Sequence, residues 1–203
     1  APAGAWPLAA TWQTLPLLTR VTQLVSQPGP PARGLPGGHF ESLQQLLQYG
    51  WRHWRHPVPG VSTAVRLSAT APRDGTRCLL LEASSTSPSE RPQIATTPPV
   101  WVTSPPIPAA ERRLVEVTGW VRAAEPLIGQ PGELRIFDSI GGEASAVRVH
   151  HAPSWQPFRL VRAVPAGTPL RLTIALSGLG AVEVDAIEYR TLPLPEATRV
   201  ARQ

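Results

Sequence analysis

The 203-residue chain has no Lys, no Asn and no Met, and it carries a single cysteine. One thiol excludes an internal disulfide, so the fold has to stand on its apolar core, and the redox compartment is left open. Cys78 is followed by Leu79, Leu80 and Leu81, a setting that marks a buried structural thiol rather than a nucleophile. No stretch approaches the roughly 20 apolar residues of a membrane span. The first residues lack the basic segment and apolar run of a secretory signal, and without an initiator Met the chain reads as a fragment or a processed product. Gly-x-Ser-x-Gly, phosphate-loop and dinucleotide fingerprints are absent. So is any long internal repeat, which disfavours a propeller or solenoid.

With Lys missing, all 19 basic residues are Arg, and against 14 acids they leave a net charge of only +5. They are scattered along the chain, so the pI near 10.9 does not make a nucleic-acid binder. The residue bias points instead to a GC-rich genome. What is present suits a packed domain: 42% of residues are hydrophobic and 16% charged, which excludes global disorder. The 25 Pro and 16 Gly ask for many short, punctuated elements.

Trp12, Leu15, Leu18, Val21, Leu24 and Val25 fall at helical spacing and predict an amphipathic helix over 12–26, stopped by the Pro/Gly-rich stretch that follows. A shorter helix is expected at 42–49, with Ser42 as its cap and Leu43, Leu46 and Leu47 on one side. Everything else reads as strands, near 39–41, 62–69, 77–83, 99–104, 113–122, 133–138, 145–150, 158–164, 169–176 and 182–190. Segments 84–98 and 123–132 read as long loops. Strands at this spacing without helices between them predict an all-β protein, a two-sheet antiparallel sandwich with an N-terminal helical extension. The expected division is a helix and linker over 1–34, either packed on the sandwich or the tail of a preceding domain, then the sandwich over 35–192 and a tail over 193–203.

In strand 113–122, Val115, Val117, Gly119 and Val121 share one face and Glu116, Thr118, Trp120 and Arg122 the other. By the same alternation Arg135 and Phe137 point away from the core, as do Arg148 and His150. If these strands share a sheet, Trp120, Arg122, Arg135, Phe137, Arg148 and His150 form one outer face. Such a face could hold a glycan, because a flat ring covers the C–H face of a sugar while Arg and Glu bond its hydroxyls. The competing reading covers Trp120 with a loop or the N-terminal helix and pairs the arginines with Glu116 and Glu133. Trp54, set among Arg52, His53, Arg55 and His56, is a further ligand candidate, and Trp101 another. The final strand changes parity between Val184 and Ile187, which predicts a β-bulge at Asp185-Ala186.

Six short signatures recur in order: Gly38-His39-Phe40-Glu41, Gly50-Trp51, Asp74-Gly75 before Cys78-Leu79-Leu80-Leu81, Thr118-Gly119-Trp120-Val121-Arg122, Ser154-Trp155-Gln156-Pro157-Phe158 and Val184-Asp185-Ala186-Ile187. Their order over residues 35 to 192 resembles the jelly-roll sandwiches of the galactose-binding-like superfamily, which includes many carbohydrate-binding modules. The resemblance implies a core role for Trp51 and a structural one for Trp155. It also implies a structural calcium held by Glu41, the loop 73–76 and Asp185, with Ala186 standing where the family often has a second acid. Hard oxygen ligands suit that ion; the alternative makes both carboxylates hydrogen-bonded or Arg-paired.

Catalytic readings are weaker. His150-His151 and His53-x-x-His56 lack a third ligand at zinc spacing, and no carboxylate pair of glycosidase type can be established from one sequence. The expectation is a non-catalytic binding module for carbohydrate, part of a larger exported or cell-surface bacterial protein. Its partner would be a glycan or a neighbouring domain, with no nucleic acid and no membrane span. A purely structural sandwich and a hydrolase domain are the alternatives.

Overall fold

The computed structural model describes residues 30–87 and 97–194, together with 19, 21–23 and 26. Its elements are β1 (Arg33–Gly34), α1 (Leu43–Tyr49), β2 (Arg52–Arg55), β3 (Val61–Ser68), β4 (Cys78–Ser85), β5 (Val100–Thr103), β6 (Arg113–Ala123), β7 (Ile128–Asp138), β8 (Val147–Val149), β9 (Ala152–Val164) and β10 (Leu172–Pro193). The front sheet runs β2-β5-β10-β7-β8 and the back sheet β3-β4-β10-β6-β9, every neighbouring pair antiparallel. The chain is a two-sheet jelly-roll sandwich, as its sequence led us to expect.

The two sheets share β10. Segments 169–176 and 182–190, expected as separate strands, are parts of one 22-residue strand whose first half lies in the front sheet and whose second half lies in the back. The crossing falls at Gly178–Gly180, where the register against β7 shifts. A Cβ on Gly178 would lie 2.9 Å from the Gly132 Cα, so only glycine lets the backbones pass here.

Alternation fills the space between the layers. From the front come Val100, Val102, Leu134, Ile136 and Ile174, and from the back Leu81, Val117, Val121, Val184 and Ile187, all buried in one cluster. Trp51 meets Phe40 edge-on, with centroids 5.1 Å apart, and its indole N–H donates to Pro36 O at 2.7 Å. This is the core tryptophan that the resemblance implied; truncating it to Ala would cost about 3–5 kcal/mol.

Three expectations need correction. Residues 39–41 are not a strand: the pairing with β10 comes earlier, at Arg33 and Gly34, and Leu35 N–H and Gly38 O close it against Ile187. The chain then turns, leaving Phe40 fully buried at a positive φ of 52°. Arg52–Arg55, not among the expected strands, is an edge strand paired with β5; all four residues are exposed, so no apolar alternation announces it. Part of the loop expected at 123–132 belongs to β7, which begins at Ile128.

Ser42 caps α1, accepting from Gln45 N–H, and the expected bulge appears as a register shift between Asp185 and Glu188. Most of the helix expected over 12–26 lies outside the described residues, as do 88–96 of the loop expected at 84–98 and 195–203 of the tail. Residues 19, 21–23 and 26 are helical, and Val21 packs on Leu114 and Leu192 of the back sheet.

Candidate functional site

The alternation of each front-sheet strand sends every second side chain outward, and the register lines these residues up across the sheet. In one row Trp54 pairs with Trp101, Trp101 with Ala175, Ala175 with Arg135, and Arg135 with Arg148. The row spans four strand spacings, about 19 Å. Beside it runs Arg52, Thr103, Thr173 and Phe137, and on the other side Ser177 stands opposite Glu133.

Small residues sit in the middle of this face and large ones at its flanks. Ala175 and Ser177 are buried although they point outward, because longer side chains rise on both sides of them. The result is a shallow trough whose floor the flanking side chains cover. On one wall Trp54 and Trp101 stack, centroids 6.5 Å apart and planes within 18°, with Trp54 47% exposed.

Glu133 organises the other wall. It is 2% exposed and accepts from Arg135 Nε at 2.6 Å and from Arg148 Nη1, with His150 Nε2 at 3.7 Å. Arg135 Nη1 lies 2.6 Å from Glu143. Burial opposes the charge on Arg135, but the hydrogen bond and charge of Glu133, helped by Glu143, raise its pKa above the ordinary value. His150 Nδ1 is 3.0 Å from Gly132 O. The two carboxylates here thus position arginines. At the floor, Ser177 Oγ is the one buried side-chain polar atom without a hydrogen-bond partner among the described residues.

Trp120 and Arg122 do not join this face. β6 belongs to the back sheet, so both lie on the opposite side of the molecule from Arg135, Phe137, Arg148 and His150. There the loop between β3 and β4 covers them: Arg73 sits 4.2 Å above the Trp120 ring, Arg122 pairs with Glu183 and donates to Thr70 O, and Trp155 Nε1 donates to Ala71 O. Arg122 also lies over Trp155, 5.2 Å from its centroid. These aromatic faces are taken by the chain's own cations. Alternation had given the face of each strand correctly but not the sheet it joins.

Trp54 does belong to the front face, and Trp101 is its neighbour. Arg52, Thr103, Thr173, Glu133 and Ser177 were not singled out from sequence as ligand-binding. The Val100-Trp101-Val102-Thr103 alternation was the available signal for the second aromatic ring.

Glu41 and Asp185 both meet the loop 73–77, and the groups that face them there are donors. Asp185 accepts from the N–H groups of Arg73, Asp74 and Ala186; Glu41 accepts from Thr76 N–H, the Thr76 hydroxyl and Arg77 N–H. A calcium ion needs oxygens aimed at it. As arranged, these residues do not fit one, and no cluster of three or more His, Cys, Asp or Glu able to hold a metal occurs among the described residues. Nearby Cys78 is buried, and burial, with the charges of Glu183 and Asp185, pushes its thiol up to about 12, well away from a nucleophile's range.

No family model matches this chain, and no curated protein does. Solved structures do. A CBM22-1 xylan-binding domain from Paenibacillus barcinonensis Xyn10C is 14% identical, with a TM-score of 0.47 over 81% of this chain and 95% of that one. TmCBM61, solved with β-1,4-galactotriose, is 13% identical, with a TM-score of 0.45 over 77% and 93%. The enzymatically active domain of bacteriophage CBA120 tailspike protein 4 is 14% identical, with a TM-score of 0.49 over 79% of this chain and 21% of that one. At these identities the likeness is one of fold.

Proposed function

We propose that this chain is a non-catalytic carbohydrate-binding module and that its front trough is the binding site. The observation that carries this reading is the stacked Trp54–Trp101 pair standing beside a floor of small residues. An exposed indole offers a sugar's C–H face an apolar partner, and the arginines opposite offer donors to its oxygens. A rigid sheet holds both in register. The solved neighbours that bind xylan or carry galactotriose make a polysaccharide the first class to try. We place the module in an exported or cell-surface bacterial protein, where such polymers are met; the arginine-only basic set of a GC-rich genome agrees with that source.

Glycan-array screening of the chain tests the reading. Wild type should bind at least one polysaccharide, Trp101→Ala should lose that binding, and Trp120→Ala should keep it. Absence of binding to any glycan would leave the sandwich as a structural or domain-contact unit.

A further inference from the structure

The trough carries more positive charge than its own carboxylates answer. Four arginines project from the front face: Arg135 and Arg148 are held by Glu133, and Arg135 by Glu143 as well. Arg52 and Arg171 are different. Arg52 stands opposite Thr103 beside the tryptophan row and forms no ion pair among the described residues. Arg171, immediately before β10, shares the outward parity of Thr173, and its Nη1 donates to the Ser104 carbonyl at 3.1 Å. Two guanidinium groups therefore flank the same end of β5 with no acid paired to them among the described residues.

Resting on the glycan reading above, we propose that the ligand is an acidic polysaccharide whose uronate carboxylates are met by Arg52 and Arg171 while a neighbouring ring lies on Trp101. A guanidinium presents a planar fork of donors that matches a carboxylate, and such charge-assisted bonds are the strong ones. A neutral sugar leaves both cations unanswered. The tryptophan pair supplies the ring-stacking half of recognition and the arginines the charge, Arg52 one outward position from the tryptophan row and Arg171 two.

Affinity electrophoresis of the full chain through gels containing polygalacturonate, alginate, fully methyl-esterified polygalacturonate or neutral xylan tests this. Wild type should be retarded by at least one acidic polymer, and esterification or the double variant Arg52→Gln/Arg171→Gln should weaken that binding by roughly tenfold or more. Trp101→Ala must weaken it too, since a basic chain adheres to polyanions by charge alone. Equal retardation by ester and acid, or binding to xylan only, overturns the acidic ligand and leaves the glycan site standing. Undiminished binding of Trp101→Ala to polyanion overturns the proposal as mere charge attraction, and no retardation in any gel removes both readings. Both variants should still unfold in one cooperative thermal transition above the assay temperature, which separates lost binding from lost fold.

Discussion

Glu133 of β7 stands directly opposite Ser177 of β10, two buried polar side chains on the outward side of a sheet. One is fully engaged with arginines and the other has no hydrogen-bond partner among the described residues. A buried hydroxyl without a hydrogen bond costs stability. Ser177→Ala should therefore be neutral or stabilise the fold by up to about 1 kcal/mol, read as a raised urea midpoint at constant m. The same change should leave glycan binding unaltered, because a hydroxyl sealed from solvent does not reach a ligand lying on the face. A lowered urea midpoint would refute the reading of Ser177 as an unpaired hydroxyl.

Glu133→Gln is expected to act in the opposite sense. It leaves Arg148 without its carboxylate and Arg135 with Glu143 alone, so chemical denaturation should show a loss of about 1–3 kcal/mol. Affinity should fall with it, since the arginine wall loses its anchor.

The two outward-facing tryptophan groups should separate cleanly. Trp54 is about half exposed at a sheet edge, and Trp54→Ala should cost less than about 1 kcal/mol of stability while lowering glycan affinity. Trp120 lies beneath Arg73, and its truncation should lower the melting temperature while leaving affinity unchanged. Titration calorimetry beside thermal melts distinguishes the two patterns.

Much of this arrangement was legible in the chain. Val115 to Val121 announced an inward face, Ser42 announced a helix start, and the parity break at Asp185-Ala186 announced a bulge. What stayed hidden depends on pairing. Alternation says which way Trp120 and Arg135 point relative to the core, but hydrogen bonding to β10 decides that one joins the back sheet and the other the front. Arg52–Arg55 was missed because an edge strand exposed on both faces needs no apolar residue. The burial of Ser177 was invisible because it comes from neighbours on strands far away in sequence.

Calcium offers another check. An ion at 100 times its Kd would add about 2.7 kcal/mol to the fold. With Asp185 and Glu41 already filled by N–H donors, we expect the same melting curve in chelator and in calcium. A clear rise with calcium would mean that the loop 73–77 turns its carbonyls inward on binding.

Those same carboxylates should leave opposite marks on the pH dependence of stability. The Thr76 hydroxyl and N–H hold the Glu41 pKa below its ordinary 4.5, so its stabilising contribution is full above that pH and disappears as pH falls through the lowered value. Burial raises the Asp185 pKa above 3.8 despite three N–H donors. Its ionised form is the costly one, so its contribution is greatest below pH 3.8 and declines as pH rises through the raised value. Urea titrations from pH 3 to 7 on Glu41→Gln should show a stability deficit at neutral pH that closes in acid. Asp185→Asn should lose stability at every pH, because one amide oxygen cannot accept from Arg73, Asp74 and Ala186 together, yet lack the decline with rising pH. Parallel curves for wild type and both variants would show that neither carboxylate titrates differently in the folded chain.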